Sequence, residues 1–243
     1  MDEIEGSAAQ SARATTKRGA DTGLPADVVS KFEVVSYRHA STILKYDFPQ
    51  EYSEFIQTLQ SFTLRYSQVV IGGGGKGPIA VEFDTRLTAF GWGEKQISVA
   101  QVVDGVRHDS PGHKIDLFKN RIAIEMEWNN KTEFYDRDLD NFRKLHSLGV
   151  ISVGVIVTRS TLGLNRLFHR IDQLLAELPF EYYRKRGKRE EVRSVSPKYG
   201  ASTTHANKIY PKIEGGAGGQ CPILVLGITD AADDKGGIFG GRV

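Results

Sequence analysis

IAIEMEWNNKTEFYDRDLDNFRKLHSLGVISVGVIVT, residues 122–158, is the stretch on which the fold turns. It opens with strict alternation. Ile122, Ile124 and Met126 fall on one face of a strand, and Arg121, Ala123, Glu125 and Glu127 fall on the other. Tyr135, Leu139, Phe142, Leu145 and Leu148 then recur at helical spacing over 132–148. His146 lies in the last turn, and Gly149 is a natural terminator. "VISVGVIVT" is almost wholly apolar, as expected of a strand buried on both faces. Strand, helix and buried strand make a crossover unit, which implies a parallel pair.

Working upstream, "IDLFKNR" (residues 115–121) reads as the first arm of a hairpin. Its tight reversal spans residues 118–121, with Lys119 and Asn120 as a two-residue turn. Closed there, the hairpin sets Asp116 opposite Ala123 and diagonal to Glu125, so three carboxylates share one face. Like charges held that close raise at least one pKa. A divalent cation among them would make the arrangement sensible. Glutamate on a solvent-facing strand is commonplace. Here, however, the neighbouring strand is buried, and helices must cover part of the same sheet.

The remainder of the chain bounds the problem. Its 243 residues suffice for one large domain, and 40% of them are hydrophobic. A net charge of +2 gives no global field toward nucleic acid. Cys221 is the single cysteine, which excludes an internal disulfide and a Cys-based zinc finger and suits a reducing cytoplasm. There is neither an apolar run of the ~18 residues a membrane span needs nor an apolar signal core. Residues 1–28 are rich in small polar residues without periodicity and read as a disordered tail. Residues 29–230 read as a single domain and 231–243 as a loose tail.

Other elements fall into place around the central unit. "KFEVVSYRHASTIL" starts as a strand and turns helical, and "PQEYSEFIQTLQSFTLRY" is an amphipathic helix with Pro49 in its first turn. "LGLNRLFHRIDQLLAEL" is a second strong helix, and "CPILVLGI" is a last strand. "AFGWGEKQISVAQVVDG" is ambiguous between a loop and the start of a helix. "GGGGKG" departs from a phosphate loop, because Gly77 follows Lys76 where Ser or Thr is needed. His113, His146 and His169 have no zinc-protease spacing, and there is no Gly-x-Ser-x-Gly elbow. "YYRKRGKREEVR" (residues 182–193) is a dense basic run, suited to phosphates or to a solvated face. "STTHANKIY" (residues 202–210) is dense in side chains that donate and accept hydrogen bonds, as base edges and phosphates require.

Asp116, eight residues, Glu125, one residue, then Glu127 resembles the signature of the PD-(D/E)XK nuclease superfamily, in its BamHI-like E-x-E variant. "FEVVSYRHASTIL", "IEMEWNN" and "STTHANKIY" are similar, in that order, to segments of the BglII/BstYI group of type II restriction endonucleases. The resemblance thus runs from about Phe32 to Tyr210. It implies an α/β restriction-endonuclease-like core, a central mixed β-sheet flanked by helices. It implies Mg²⁺-dependent hydrolysis of palindromic double-stranded DNA to 5′-phosphate ends. The protein would be a homodimer, helix 132–148 being one candidate interface, and would be paired functionally with a methyltransferase.

On this resemblance Asp116, Glu125 and the Met126 backbone carbonyl would hold the metal, with Glu94 as an extra carboxylate. Glu127 departs from the usual lysine, and would orient or deprotonate the attacking water or help hold a second metal. Asn129, Asn130, Ser202, Thr203, Thr204, His205, Asn207 and Lys208 would read DNA. Arg184, Lys185, Arg186, Lys188 and Arg189 would neutralise phosphates within a recognition segment spanning 182–210. The alternatives are a repair or junction-resolving nuclease, a DNA-binding protein that has lost cleavage, and a metal enzyme on a small phosphoester.

Overall fold

The computed structural model describes residues 16–70, 76–109, 112–177, 181–185, 188–192 and 194–233. Its strands are β1 (Lys17–Arg18), β2 (Phe32–Tyr37), β3 (Gly93–Ile97), β4 (Ala100–Val103), β5 (Val106–Asp109), β6 (His113–Lys119), β7 (Ile122–Glu127), β8 (Val153–Arg159), β9 (Glu181–Lys185), β10 (Lys188–Val192) and β11 (Ile223–Ile228). Its α-helices are α1 (Ala26–Lys31), α2 (Ala40–Asp47), α3 (Pro49–Ser61), α4 (Tyr66–Val70), α5 (Pro78–Thr88), α6 (Glu133–Ser147), α7 (Leu162–Glu177) and α8 (Ala206–Glu214).

Seven strands form one mixed sheet in the order β1-β2-β11-β8-β7-β6-β3. The expected crossover is present: β7 and β8 pair in parallel through α6, and β11 adds in parallel to β8. Alternation along the central strands divides the interior in two. Ile122, Ile124, Met126, Val153, Val155 and Val157 face a core covered by α1–α5 and α7. Ala123 and Ile156 face a second core under α6 and α8, built on Tyr135, Leu139, Phe142, Leu145, Ile209 and Ile213. No helix among the described residues is long and apolar enough to cross a membrane.

Several expectations need correction. Residues 17–28 are not a tail: β1 joins the sheet edge, and Leu24 and Val28 are buried in the larger core. Two apolar anchors among small polar residues leave no period to read. Residues 1–15 and 234–243 lie outside the described residues. The ambiguous stretch after Ala89 is neither a loop nor a helix start. It is edge strand β3, paired with β6, followed by the β4/β5 hairpin. Its strand identity comes from that pairing rather than from its own pattern. The basic run is itself a hairpin, β9 with β10. Leu148 leaves the apolar face of α6 and is 53% exposed, because the helix has ended and Gly149 turns the chain with φ +69°.

The approach of α6 to the sheet rests on Gly154. A Cβ there would collide with the Phe142 ring, so the absent side chain lets that ring seat directly on β8. Phe142→Ala is expected to cost about 3–5 kcal/mol in denaturant unfolding, from lost burial plus the cavity left behind. A loss below ~1 kcal/mol would show that α6 does not seat on this ring.

Candidate active site

The β6/β7 hairpin turns at Asn120 and Arg121, with φ +40° and +71°. Positive φ at both central residues is what a type I′ turn requires. This is one residue later than the sequence suggests, and the register becomes Lys119↔Ile122, Phe118↔Ala123 and Leu117↔Ile124. Pairing has moved by two positions, so Leu117, Phe118 and Lys119 keep their expected faces, while Asp116 moves from beside Ala123 to beside Glu125.

A bulge refines the placement of Asp116. β3 pairs Gly93 with Phe118 and Lys95 with Ile115, so three steps along β6 span two along β3. Such an extra residue bends a strand and re-aims its side chains. Ile115 and Leu117 accordingly lie in opposite cores. The half-buried Asp116 carboxylate accepts from the Met126 N–H at 3.1 Å, and the Asp116 N–H donates to Glu125 Oε2 at 3.4 Å. Side chain thus replaces main chain in the ladder where the acids meet.

Glu125 and Glu127 follow Ala123 on the α6 side, and both are buried. Facing them is Asp138 of α6, which is fully buried. Burial above all, then the charges of Asp138 and Asp116, pushes the Glu125 carboxyl well above the usual carboxylate range; Arg137 and the Asp116 N–H relieve it in part. Burial, then the charge of Asp138 and a hydrogen bond with it, pushes Glu127 up to about 9 against the Asn130 amide and Arg137. Asp138 is also raised, by burial first, despite hydrogen bonds from Arg137 and Glu127. Asp138 Oδ2 and Glu125 Oε1 are buried without a conventional hydrogen-bond partner. A proton on Glu127 makes its contact with Asp138 a hydrogen bond.

Asp138 and Arg137 were not anticipated, although Asp138 carried a signal. It sits three residues after Tyr135 and one before Leu139, on the inward stripe of an amphipathic helix, where an acid is out of place. Arg137 bonds Asp138 Oδ1 through Nε at 2.9 Å and Nη2 at 2.8 Å, and its Nη2 lies 3.7 Å from Glu127 Oε1. A positive group thus stands beside Glu127.

The other expected residues divide. Glu94 does not join Glu125; edge strand β3 carries it out to an exposed ion pair with Lys114 at 2.7 Å. Asp84 of α5 lies within reach of the Asp116 charge. Burial raises its carboxyl, the adjacent Lys76 opposes this, and the charges of Asp116 and Glu94 add to it. Lys76 is therefore paired with an acid, while residues 71–75 lie outside the described residues.

Asn130 turns inward, its Nδ2 donating to Glu127 Oε2 at 2.9 Å. Asn129 takes the left-handed backbone, φ +57°, which asparagine tolerates. In the polar segment Thr204 is fully buried and His205 nearly so. His205 Nδ1 meets Thr161 Oγ1 at 2.8 Å, and burial, then Arg159 and Lys208, lowers its pKa to about 4. These two face the protein because their hydrogen-bonding groups are consumed there; Ser202, Asn207 and Lys208 stay exposed. Arg184, Lys185, Lys188 and Arg189 lie on β9 and β10, and Arg186 lies outside the described residues.

The acids gather where the bulged β6/β7 hairpin adjoins the parallel pair β7 and β8. The family model described as restriction endonuclease BglII/BglIII matches residues 32–228, from the first residue of β2 to the last of β11, and the chain belongs to that family. Membership makes it a nuclease of DNA. Among curated proteins, none matches the chain.

Proposed function

We propose that the protein is a Mg²⁺-dependent type II restriction endonuclease that hydrolyses palindromic double-stranded DNA to leave 5′-phosphate ends. The observation that carries this reading is the meeting of Asp116 and Glu125 across the bulged hairpin, with Glu125 Oε1 buried and unpartnered. Among the described residues no three His, Cys, Asp or Glu side chains stand as a ready-made metal cage. The donors present do fit a hard cation. They are all oxygen, they repel one another, and one lacks any partner. Asp116, Glu125 and the Met126 carbonyl would hold the ion. When bound, it stabilises charge developing on the phosphate and acidifies a bound water.

The protein's own groups supply the rest. In its ionised form Glu127 would accept a proton from the attacking water or orient it, with Asn130 fixing one carboxylate oxygen. Arg137 holds Asp138 and keeps positive charge at Glu127. Asn129, Ser202, Asn207 and Lys208 contact DNA, together with the cations of the β9/β10 hairpin. A palindromic site calls for a two-fold symmetric dimer. A cognate methyltransferase and a bacterial cytoplasmic setting follow from restriction itself.

Digestion of unmethylated phage DNA with Mg²⁺ and with EDTA tests this. Discrete fragments in Mg²⁺ alone, with 5′-phosphate ends on sequencing, are expected. A smear would point instead to a nuclease reading DNA shape, and intact DNA that still shifts in a gel would point to binding without cleavage.

A further inference from the structure

The catalytic-strand end of the site is fastened to a segment 77 residues further along. The Glu127 carbonyl accepts from two buried hydroxyls, Thr158 Oγ1 and Thr204 Oγ1, each at 2.9 Å. Thr204 Oγ1 also accepts from the Asn130 N–H at 3.0 Å, and the Thr204 N–H donates to the Asn130 carbonyl at 2.8 Å. Further out, Lys131 bridges Thr203, and the Thr132 N–H and hydroxyl both donate to the Ser202 carbonyl. The chain leaving Glu127 is zipped residue by residue to the start of the polar segment.

The far side of that segment is held by Arg159, at the end of β8 and almost fully buried. Its Nη2 donates to the Tyr199 and Gly200 carbonyls and to Thr203 Oγ1, at 3.1, 3.3 and 2.8 Å. A buried guanidinium held by carbonyls and a hydroxyl is costly. What it secures is the course of residues 199–203. The same segment presents Ser202, Asn207 and Lys208 outward. One short stretch thus has an exposed polar side and a buried side bonded to the backbone of Glu127.

We propose that Thr204, backed by Arg159, is a positioning residue that couples seating of residues 199–208 on DNA to the placement of Glu127. Cleavage then depends on a correct sequence more steeply than binding does. The proposal rests on the restriction-endonuclease reading above. A near-cognate site seats the outer side imperfectly, the strain passes through Thr204 to the Glu127 carbonyl and the Asn130 N–H, and the acid is misplaced. Displacements of about 1 Å at a reacting group suffice for ~100-fold losses.

The test compares wild type with Thr204→Val, which keeps shape and removes both hydroxyl bonds, and with Thr204→Ser, which restores them. Discrete wild-type cutting comes first; its absence would defeat the function reading rather than this one. With it in hand, Thr204→Val is expected to bind cognate duplex in Ca²⁺ within about threefold of wild type. It should cut that duplex about 10–100-fold more slowly, and narrow the cognate to near-cognate cleavage ratio at least tenfold. Thr204→Ser should recover both. Thr158→Val removes the other donor to the same carbonyl, together with the Tyr135 contact, while both bonds of Thr204 to residues 127 and 130 remain, and should slow cutting without changing the ratio. If Thr204→Val does not fold, Thr132→Val breaks only the outer hydroxyl bond to Ser202 and should narrow the ratio in the same direction. An unchanged ratio in the folded variant would overturn the proposal. So would equal losses in binding and cleavage without rescue by serine.

Discussion

Glu125→Ala should lower DNA cleavage by about 10³-fold or more, about 4 kcal/mol in activation free energy, while specific binding in Ca²⁺ stays within a few-fold of wild type. Asp116→Ala should do the same. The two carboxylates meet at the hairpin bulge, where Asp116 is anchored by the Met126 N–H and Glu125 leaves Oε1 unpartnered. Neither carboxylate is among the apolar side chains that build the two cores. Removing Glu125 also takes away a buried, poorly solvated carboxyl, so the folded state should survive. Single-turnover cleavage beside a Ca²⁺ gel shift separates the chemical loss from a binding loss. Undiminished cutting by either variant would remove the pair from the reaction, and loss of binding in parallel would mean the substitution had damaged the fold.

The second large effect concerns the metal-free protein and pH. An unfolded glutamate titrates near 4.3, whereas Glu127 is pushed up to about 9 by burial and Asp138. Glu125 and Asp138 shift in the same direction. Between these limits the folded state holds more protons than the unfolded one. By linkage its stability must fall as pH rises through that window, by up to ~1.4 kcal/mol per pH unit for each proton. Thermal unfolding in EDTA should therefore show Tm dropping steadily from pH 6 to pH 8.5, and Glu127→Gln should flatten the slope. Mg²⁺ binds the deprotonated form, so the Tm it restores should be greater at the alkaline end. A Tm independent of pH in EDTA, or an equal slope in Glu127→Gln, would show that these carboxyls are not buried together in the folded protein.

Local patterning was enough for the crossover and for the faces of β7 and β8. Period-two alternation over 122–127, helical spacing from Tyr135 to Leu145 and the apolar run 150–158 depend on local patterning, and each becomes the expected element. The nearness of Asp116 to Glu125 follows from the hairpin, but the bulge at residues 115–118 sets how they meet. The tertiary structure alone decided the rest. The type I′ turn at Asn120 and Arg121 and the bulge in β6 are set by pairing with β7 and β3. Asp138 and Arg137 become neighbours of Glu127 only once α6 lies across the sheet. Thr204, His205 and Asn130 look from sequence like groups offered to DNA, yet their hydrogen bonds close inside the protein. In an irregular segment no period fixes where a side chain points. The partners it meets decide, and those partners come from β7, β8 and the loop before α7.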